Sequence, residues 1–387
     1  MAHLTTTAAQ RQPKPSPKNF STQQKLQILR KELNASILEK EDEIDLVLLV
    51  IFGQTSLMLI GPPGSAKSYV TETIVKRAIK DAKIFVYMLH KFVEPREIYG
   101  PTDILALKNG QNRIITTGKF PECDYAFLDE YWNGSIAINQ TMQRGLNEKE
   151  LDVGFGMQKL PLRGFIVASN KFPEEQEVQA LRDRMVLSLF SGYCDSPSNR
   201  SKLSSRLDHT PNITVSFTLA ELDRAYETIM SMGWPDRVNE KKDEIVEKLI
   251  LEGIRPSDRK LTKIRQIVQA YAYILGETKV HIEHLEVLKH MLWTTGEEGE
   301  RKKCHRIVCE LANPIGFAIG GLYKEVESVL KNCTPVDTET KISLIVDKLE
   351  EDFDQDDVRV KAIIEHCNDE LKKNRIRMAG LSPKKEN

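Results

Sequence analysis

The stretch LMLIGPPGSAKSYVTET, residues 57–73, decides the fold. An apolar run ends at Ile60, a Gly/Pro-rich turn follows, and Tyr69, Val70 and Ile74 then recur at helical spacing. Strand, tight turn and helix in that order frame a phosphate-binding loop: Gly, four residues, Gly, Lys, then Ser or Thr. Gly61, Lys67 and Ser68 hold their positions, and Ala66 stands where the second glycine belongs. Backbone N–H groups at the start of such a helix point at phosphate oxygens, where the helix dipole also favours negative charge. In this arrangement Pro62, Pro63, Gly64, Ser65 and Ala66 wrap the phosphates of ATP and Tyr69 opens the helix. Lys67 reaches the β- and γ-phosphate oxygens, and the Ser68 hydroxyl binds Mg²⁺. On a helical conformation at Ala66, the extra methyl costs nothing in backbone geometry. A Gly/Pro turn with a surface lysine is the competing reading, and the flanking strand and helix argue against it.

Working outward, the short apolar runs 56–60, 84–88, 125–128, 165–168 and 186–190 alternate with helical stretches. Runs buried on both faces and separated by helices predict a five-stranded parallel sheet in an α/β domain. Two helices precede it, one after Ser21 with Leu26, Ile28, Leu29 and Leu33 at helical spacing, one over 41–52. The polar segment 193–211 reads as a domain boundary. Beyond it the strands are expected to stop: the capping box TLAE at 218–221 opens a helix, and amphipathic helices follow at about 240–251, 257–275 and 282–292. A final helical section, 302–378, shows one apolar face at Ile342, Ile345, Leu349 and Phe353 and another at Ile363, Ile364, Cys367 and Leu371. The expected organisation is a disordered tail 1–20, a nucleotide-binding core 21–205, a helical lid 206–300, a C-terminal helical extension 301–380 and a frayed end 381–387.

Composition narrows the function classes. The chain of 387 residues is 40% hydrophobic with a formal net charge of -1, so no global basic field points to nucleic acid or an anionic membrane. Six cysteines without a CxxC pair suit reduced thiols in a cytoplasm. The most apolar stretch, 46–60, is too short to span a bilayer. His281 and His284 lack a third ligand nearby and read as surface residues of the lid. The acidic run 350–357 lacks the glycine of a calcium loop, and the basic patch 301–306 is too small to imply nucleic acid.

The second element of chemistry is YAFLDEYW, residues 125–132. An acid at the carboxyl end of a neighbouring strand, Asp129, is placed to hold Mg²⁺, and the adjacent Glu130 to accept a proton from an attacking water. A further strand, FIVASN, ends in Asn170, a neutral group able to orient that water. Strand-end acids also serve as mere caps; the loop upstream is what gives this pair its meaning.

These pieces together resemble the AAA+ ATPases, and most closely the MoxR branch with its RavA-like members. That branch carries alanine before the loop lysine, as Ala66 does here. The likeness runs through FVEPREIYGPTDI (92–104), the segment 116–150 and ASNKFPEEQEVQALRDRM (168–185), about residues 22–300 in all. It implies an AAA+ P-loop domain, a helical lid and ATP bound with Mg²⁺ between neighbours in a ring of six. It gives Arg184 the role of an arginine finger reaching the neighbour's site, with Arg182 as alternative. It gives Arg259 the role of a second sensor touching the γ-phosphate of its own subunit, with Arg255 as competitor. Two inserts, 104–120 with an Asn-Gly turn and 151–164, read as hairpins, the second carrying Phe155 and Met157. The implied work is remodelling or maturing a partner protein, with a von Willebrand factor A-domain protein as leading candidate. RavA-like proteins carry a small β-rich module in their C-terminal extension, and no alternating pattern for one is present here. The rival classes are a nucleic-acid translocase and a nucleotide-dependent assembly protein with negligible turnover.

Overall fold

The computed structural model describes residues 20–134, 138–139, 141–142, 145, 149–152, 156–172, 183–205, 210–353 and 357–378. The chain divides into two compact units. One holds residues up to Pro235 together with Pro256–Gly296; the other holds Asp236–Arg255 together with residues from Glu297 on.

The strands of the first unit are β1 (Ser56–Ile60), β2 (Ile79–Lys80), β3 (Ile84–Met88), β4 (Tyr125–Asp129), β5 (Glu150–Asp152), β6 (Met157–Lys159), β7 (Gly164–Ser169), β8 (Leu187–Phe190) and β9 (Phe217–Thr218). Five of them form one parallel sheet in the order β3-β4-β7-β1-β8. The expected strands fall in place to within a residue or two of their ends. β1 and β7 are buried along their whole length, which is why their sequences run apolar without alternation.

Helix α1 (Thr22–Ser36) begins at a capping box between Ser21 and Gln24 and buries Leu26, Leu29 and Leu33. Helix α2 (Glu41–Gly53) is buried from Glu43 onward, and α3 (Lys67–Ala78) follows β1 directly. The short helices α4 (Pro95–Tyr99) and α5 (Ile104–Lys108) lie between β3 and β4. Helix α6 (Pro197–Ser205) falls inside the polar segment expected as a boundary. Helix α7 (Leu219–Ser231) opens at the Thr218–Glu221 capping box, as its sequence predicts.

Three expectations need correction. Strands do not stop at the polar boundary: Phe217–Thr218 forms β9, which pairs in parallel with β2. The insert after Ile104 is not a hairpin: it opens with α5, whose first turn Asp103 caps by accepting from the Leu105 and Ala106 amides. That cap makes a helix of the apolar run, so Asn109 and Gly110 end a helix instead of turning a hairpin; Gly110 lies at φ +74°. A single antiparallel bridge, Thr102 to Ile114, closes the insert. The second insert does form a hairpin, β5 against β6, with Met157 exposed; Phe155 lies outside the described residues. His284 is also not a surface residue. It is buried, its Nδ1 accepts from the His281 amide at 2.9 Å, and burial lowers its affinity for a proton.

The second unit is helical throughout its described residues: α8 (Asp236–Leu251), α10 (Glu298–Ala312), α11 (Pro314–Asn332), α12 (Pro335–Asp352) and α13 (Val358–Met378). Ile342, Ile345 and Leu349 of α12 and Ile363, Cys367 and Leu371 of α13 meet Leu322 and Val326 of α11 in one core. The two apolar faces read from the sequence face each other there. The remaining helix, α9 (Asp258–Ile274), belongs to the first unit and packs on α2 and α7.

Candidate nucleotide site

The register of the sheet assembles the site. Ile60 pairs with Ser169 and Leu128 with Val167, so the chain leaves β1, β4 and β7 at the same carboxyl edge. Gly61, Asp129, Glu130 and Asn170 therefore converge in the crevice beyond that edge, where open α/β sheets hold ligands.

Gly61 donates to the Ser169 carbonyl at 3.1 Å, continuing the ladder by one bond. A Cβ built on Gly61 would stand 2.1 Å from the Ser191 carbonyl oxygen, so only glycine fits here. Ala66 caps the following helix at φ +66°, ψ +13°. The assumption of a helical Ala66 is thus wrong: the residue occupies the left-handed region, where a Cβ costs about 1–2 kcal/mol and glycine would cost nothing. Glu130 adopts the same region at φ +51°. Backbone strain of this kind gathers at functional sites, where surrounding structure holds it in place.

The Lys67 ammonium is buried and donates to the Gly61 carbonyl at 2.7 Å and the Pro62 carbonyl at 2.9 Å. Ser65 Oγ and Asn170 Oδ1 lie 3.3 Å from it. Burial pushes its pKa down, and the carboxylates of Asp129 and Glu130 push it back up. Ser68 Oγ donates to Asp129 Oδ2 at 2.5 Å, so two hard oxygens from different elements stand side by side. That donor set fits Mg²⁺, which takes one or two protein oxygens and fills its octahedron with phosphate oxygens and water. Asn170 donates through its amide to Glu130 Oε1, and Asn133 Nδ2 lies 3.4 Å from Glu130 Oε2. The carboxylate expected to act as base is thereby oriented at both oxygens.

Arg184 lies elsewhere. Its carbonyl accepts from Ser56 Oγ at 3.2 Å, at the amino end of β1. Four residue steps along the strand, about 13 Å, separate that point from the start of the loop. The half-buried Arg184 side chain eases the ionisation of the Tyr131 phenol, which burial strongly opposes. Arg259, at the start of α9, pairs with Asp183 at 2.6 Å, beside Arg184 in the chain. The structure therefore sets Arg259 beside the segment that carries Arg184. Arg182 lies outside the described residues.

Beside the loop opens a cavity of about 550 Å³, lined by Ile37 and Leu38 before α2, Gly64 and Tyr69, and Tyr193 and Leu203. Its size suits a base and ribose. Gly64 and Tyr69 follow from the loop motif, but sequence reading did not find Ile37, Leu38, Tyr193 or Leu203, because no motif marks them and 193–211 reads as linker. Glu39, at φ +55°, ties this wall together. Its carboxylate accepts from the Asp195 amide at 2.6 Å, the Ser196 amide at 3.1 Å and Asn199 Nδ2 at 2.8 Å. These bonds outweigh desolvation and hold its pKa at about 2.

Comparison with known proteins agrees with this geometry. Residues 24–209 match the family described as the MoxR domain in the MoxR-vWA-beta-propeller ternary systems, and residues 238–305 match an AAA lid domain. The chain belongs to the MoxR branch of the AAA+ ATPases. Two uncharacterized proteins of Methanocaldococcus jannaschii are similar to this MoxR chain. MJ0079 is 30% identical over 70% of either chain; MJ0812 is 31% identical over 70% of this chain and 72% of its own. The structural protein ORF618 of Acidianus two-tailed virus is 24% identical over 88% of this chain and 55% of its own length. A solved structure from Cytophaga hutchinsonii shares the fold at TM-score 0.58, with 17% identity over 74% of this chain and 94% of that one. Among the described residues no helix of this MoxR chain is long and apolar enough to cross a membrane.

Proposed function

We propose that this MoxR chain hydrolyses ATP at the phosphate loop and uses the turnover to remodel a partner protein. The observation that carries the reading is the mutual hydrogen bonding of Lys67, Asn170 and Glu130 beside the Ser68–Asp129 pair. The cavity along Ile37, Leu38 and Leu203 takes the base, and the loop takes the phosphates. Lys67 exchanges the Gly61 and Pro62 carbonyls for β- and γ-phosphate oxygens. Ser68 and Asp129 would hold Mg²⁺, and the ion would supply positive charge against the charge that develops on the phosphates. Glu130 accepts the proton of the attacking water, while Asn170 holds its carboxylate in place.

Arg184 and Arg259 are assigned to the site of a neighbouring subunit. The Arg184 carbonyl stands at the amino end of β1, and the Asp183–Arg259 pair holds Arg259 beside that segment. A ring, of six subunits by family resemblance, brings that end of one chain to the loop of the next. A von Willebrand factor A-domain protein is the proposed partner, because the matching family is described from systems that contain one. The test is phosphate release by the purified chain, followed by identification of what co-purifies with Glu130→Gln. Absence of ATP turnover would favour a nucleotide-dependent assembly role; stimulation by single-stranded DNA would favour a translocase.

A further inference from the structure

Behind the phosphate loop lies a buried ion pair that the hydrolysis chemistry does not use. Lys40 and Glu43 are each 5% exposed, and Lys40 Nζ lies 3.1 Å from Glu43 Oε1. The same ammonium donates to the Gly192 carbonyl at 2.6 Å and to Ser191 Oγ at 3.2 Å. Ser191 in turn donates to Glu43 at 2.6 Å, and its hydroxyl lies 3.4 Å from the Ser65 carbonyl. Its amide donates to the Ile60 carbonyl at 2.6 Å, and its own carbonyl is the atom that excludes any Cβ from Gly61. Ser191 thus touches the loop at Ile60–Gly61, where it leaves the sheet, and at Ser65, where it turns into the helix.

Packing does not explain such a pair. Two charges taken out of water gain nothing over an apolar pair of the same volume unless their geometry serves something else. The geometry here is directed at the loop. The ion pair stands at the start of α2, the strand exit at the end of β8, and the loop between them.

We propose that Lys40, Glu43 and Ser191 form a positioning unit that braces the loop from behind and sets its affinity for nucleotide phosphates. Lys40 also lines the cavity beside the loop, so Ser191→Ala is the variant that reads the bracing alone; the unit touches none of the reacting atoms. It fixes the curvature in which the loop amides point inward, and leaves Glu130, Asn170 and Asp129 as they are. The inference rests on the reading of the loop as an ATP site.

The test uses the full chain and a fluorescent ATP analogue with Mg²⁺. Two variants are compared with wild type: the double variant Lys40→Met/Glu43→Gln, which leaves no lone buried charge, and Ser191→Ala, which leaves both charges. Each should weaken binding and raise KM about tenfold, the loss of one charge-assisted hydrogen bond. At saturating ATP, kcat should stay within about twofold of wild type, because the reacting groups are untouched. A purely structural role would lower the melting temperature and leave KM unchanged. Wild-type KM in folded Ser191→Ala overturns the proposal, whether or not the double variant folds. A fall in kcat with KM unchanged overturns it also. Failure of the wild-type chain itself to bind the analogue would overturn the ATP reading, and this inference with it.

Discussion

Asn170 donates to the Glu130 carboxylate from the end of β7, while its amide oxygen lies 3.3 Å from the Lys67 ammonium. One neutral side chain therefore links the phosphate-binding lysine to the candidate base. Glu130→Gln should bind ATP and hydrolyse it about 10²- to 10⁴-fold more slowly, the range for loss of a general base. Asn170→Ala should slow turnover too, with Glu130 present but no longer oriented at Oε1. Wild-type turnover by Glu130→Gln, measured as phosphate release, would remove the base assignment.

The left-handed conformation of Ala66 makes a prediction opposite to the one a helical residue would give. Ala66→Gly relieves a cost of about 1–2 kcal/mol in the folded loop, and gives back about 0.4–1 kcal/mol through the freer unfolded chain. The variant should be more stable by about 0.5–1 kcal/mol and should bind ATP as wild type does. Ala66→Val places a β-branched side chain at φ +66°, so it should lose both stability and affinity. Thermal unfolding and titration with a fluorescent ATP analogue check the pair; equal behaviour of valine and glycine would show that the loop adopts another conformation.

Ala66 also marks how far the sequence is legible. Strands β1, β4 and β7 could be read because burial on both faces writes itself as uninterrupted apolar runs, and the edge strands β3 and β8, only partly buried, are apolar enough to read the same way. Lys67, Ser68, Asp129, Glu130 and Asn170 could be placed because they follow those runs directly. The conformation of Ala66 could not, since no local spacing fixes a φ; the loop closes against Ser191 at Gly61, 130 residues away in the chain. The same limit hides Glu39, Lys40 and Glu43: each acts through partners near residues 191–199, and no local spacing announces a contact across that distance. The helix α5 was missed for a different reason. The Asn-Gly dipeptide is a turn signal at a helix end as well as in a hairpin, and Asp103 decided between them.

Acid should reveal Glu39. Its carboxyl is held at about 2 in the folded chain against an ordinary value of 4.5, by Asn199 and the amides of Asp195 and Ser196. A depressed folded pKa contributes stability above the ordinary value and loses it as the pH falls through the folded one. The wild-type chain should therefore lose stability between about pH 4.5 and 2 from this group, and Glu39→Gln should be flatter there. Because Glu39 holds the segment leading into α6, the substitution should also weaken nucleotide binding at neutral pH. Identical acid profiles of the two chains would remove Glu39 from the account.

The strongest test of a shared site concerns Arg184 and Arg259. The structure binds Arg259 to Asp183 and places the Arg184 carbonyl on Ser56, at the end of β1 opposite the loop. On the proposed assignment both guanidinium groups serve the phosphates of the neighbouring chain. An arginine supplied to a transferring phosphoryl group in GTPases is worth about 10³–10⁵ in rate, so loss of Arg184 should dominate turnover while ATP binding stays near normal. Arg184→Ala subunits mixed with Lys67→Ala subunits should recover part of the activity, because some interfaces then pair an intact loop with an intact arginine. Arg259→Ala should be complemented in the same way, whereas a role in its own subunit predicts no recovery. The subunits must first be fully dissociated, as sizing can verify. No recovery of Arg184→Ala in demonstrably mixed rings would leave its charge a structural role beside the buried Tyr131; that variant should then lose melting temperature along with turnover.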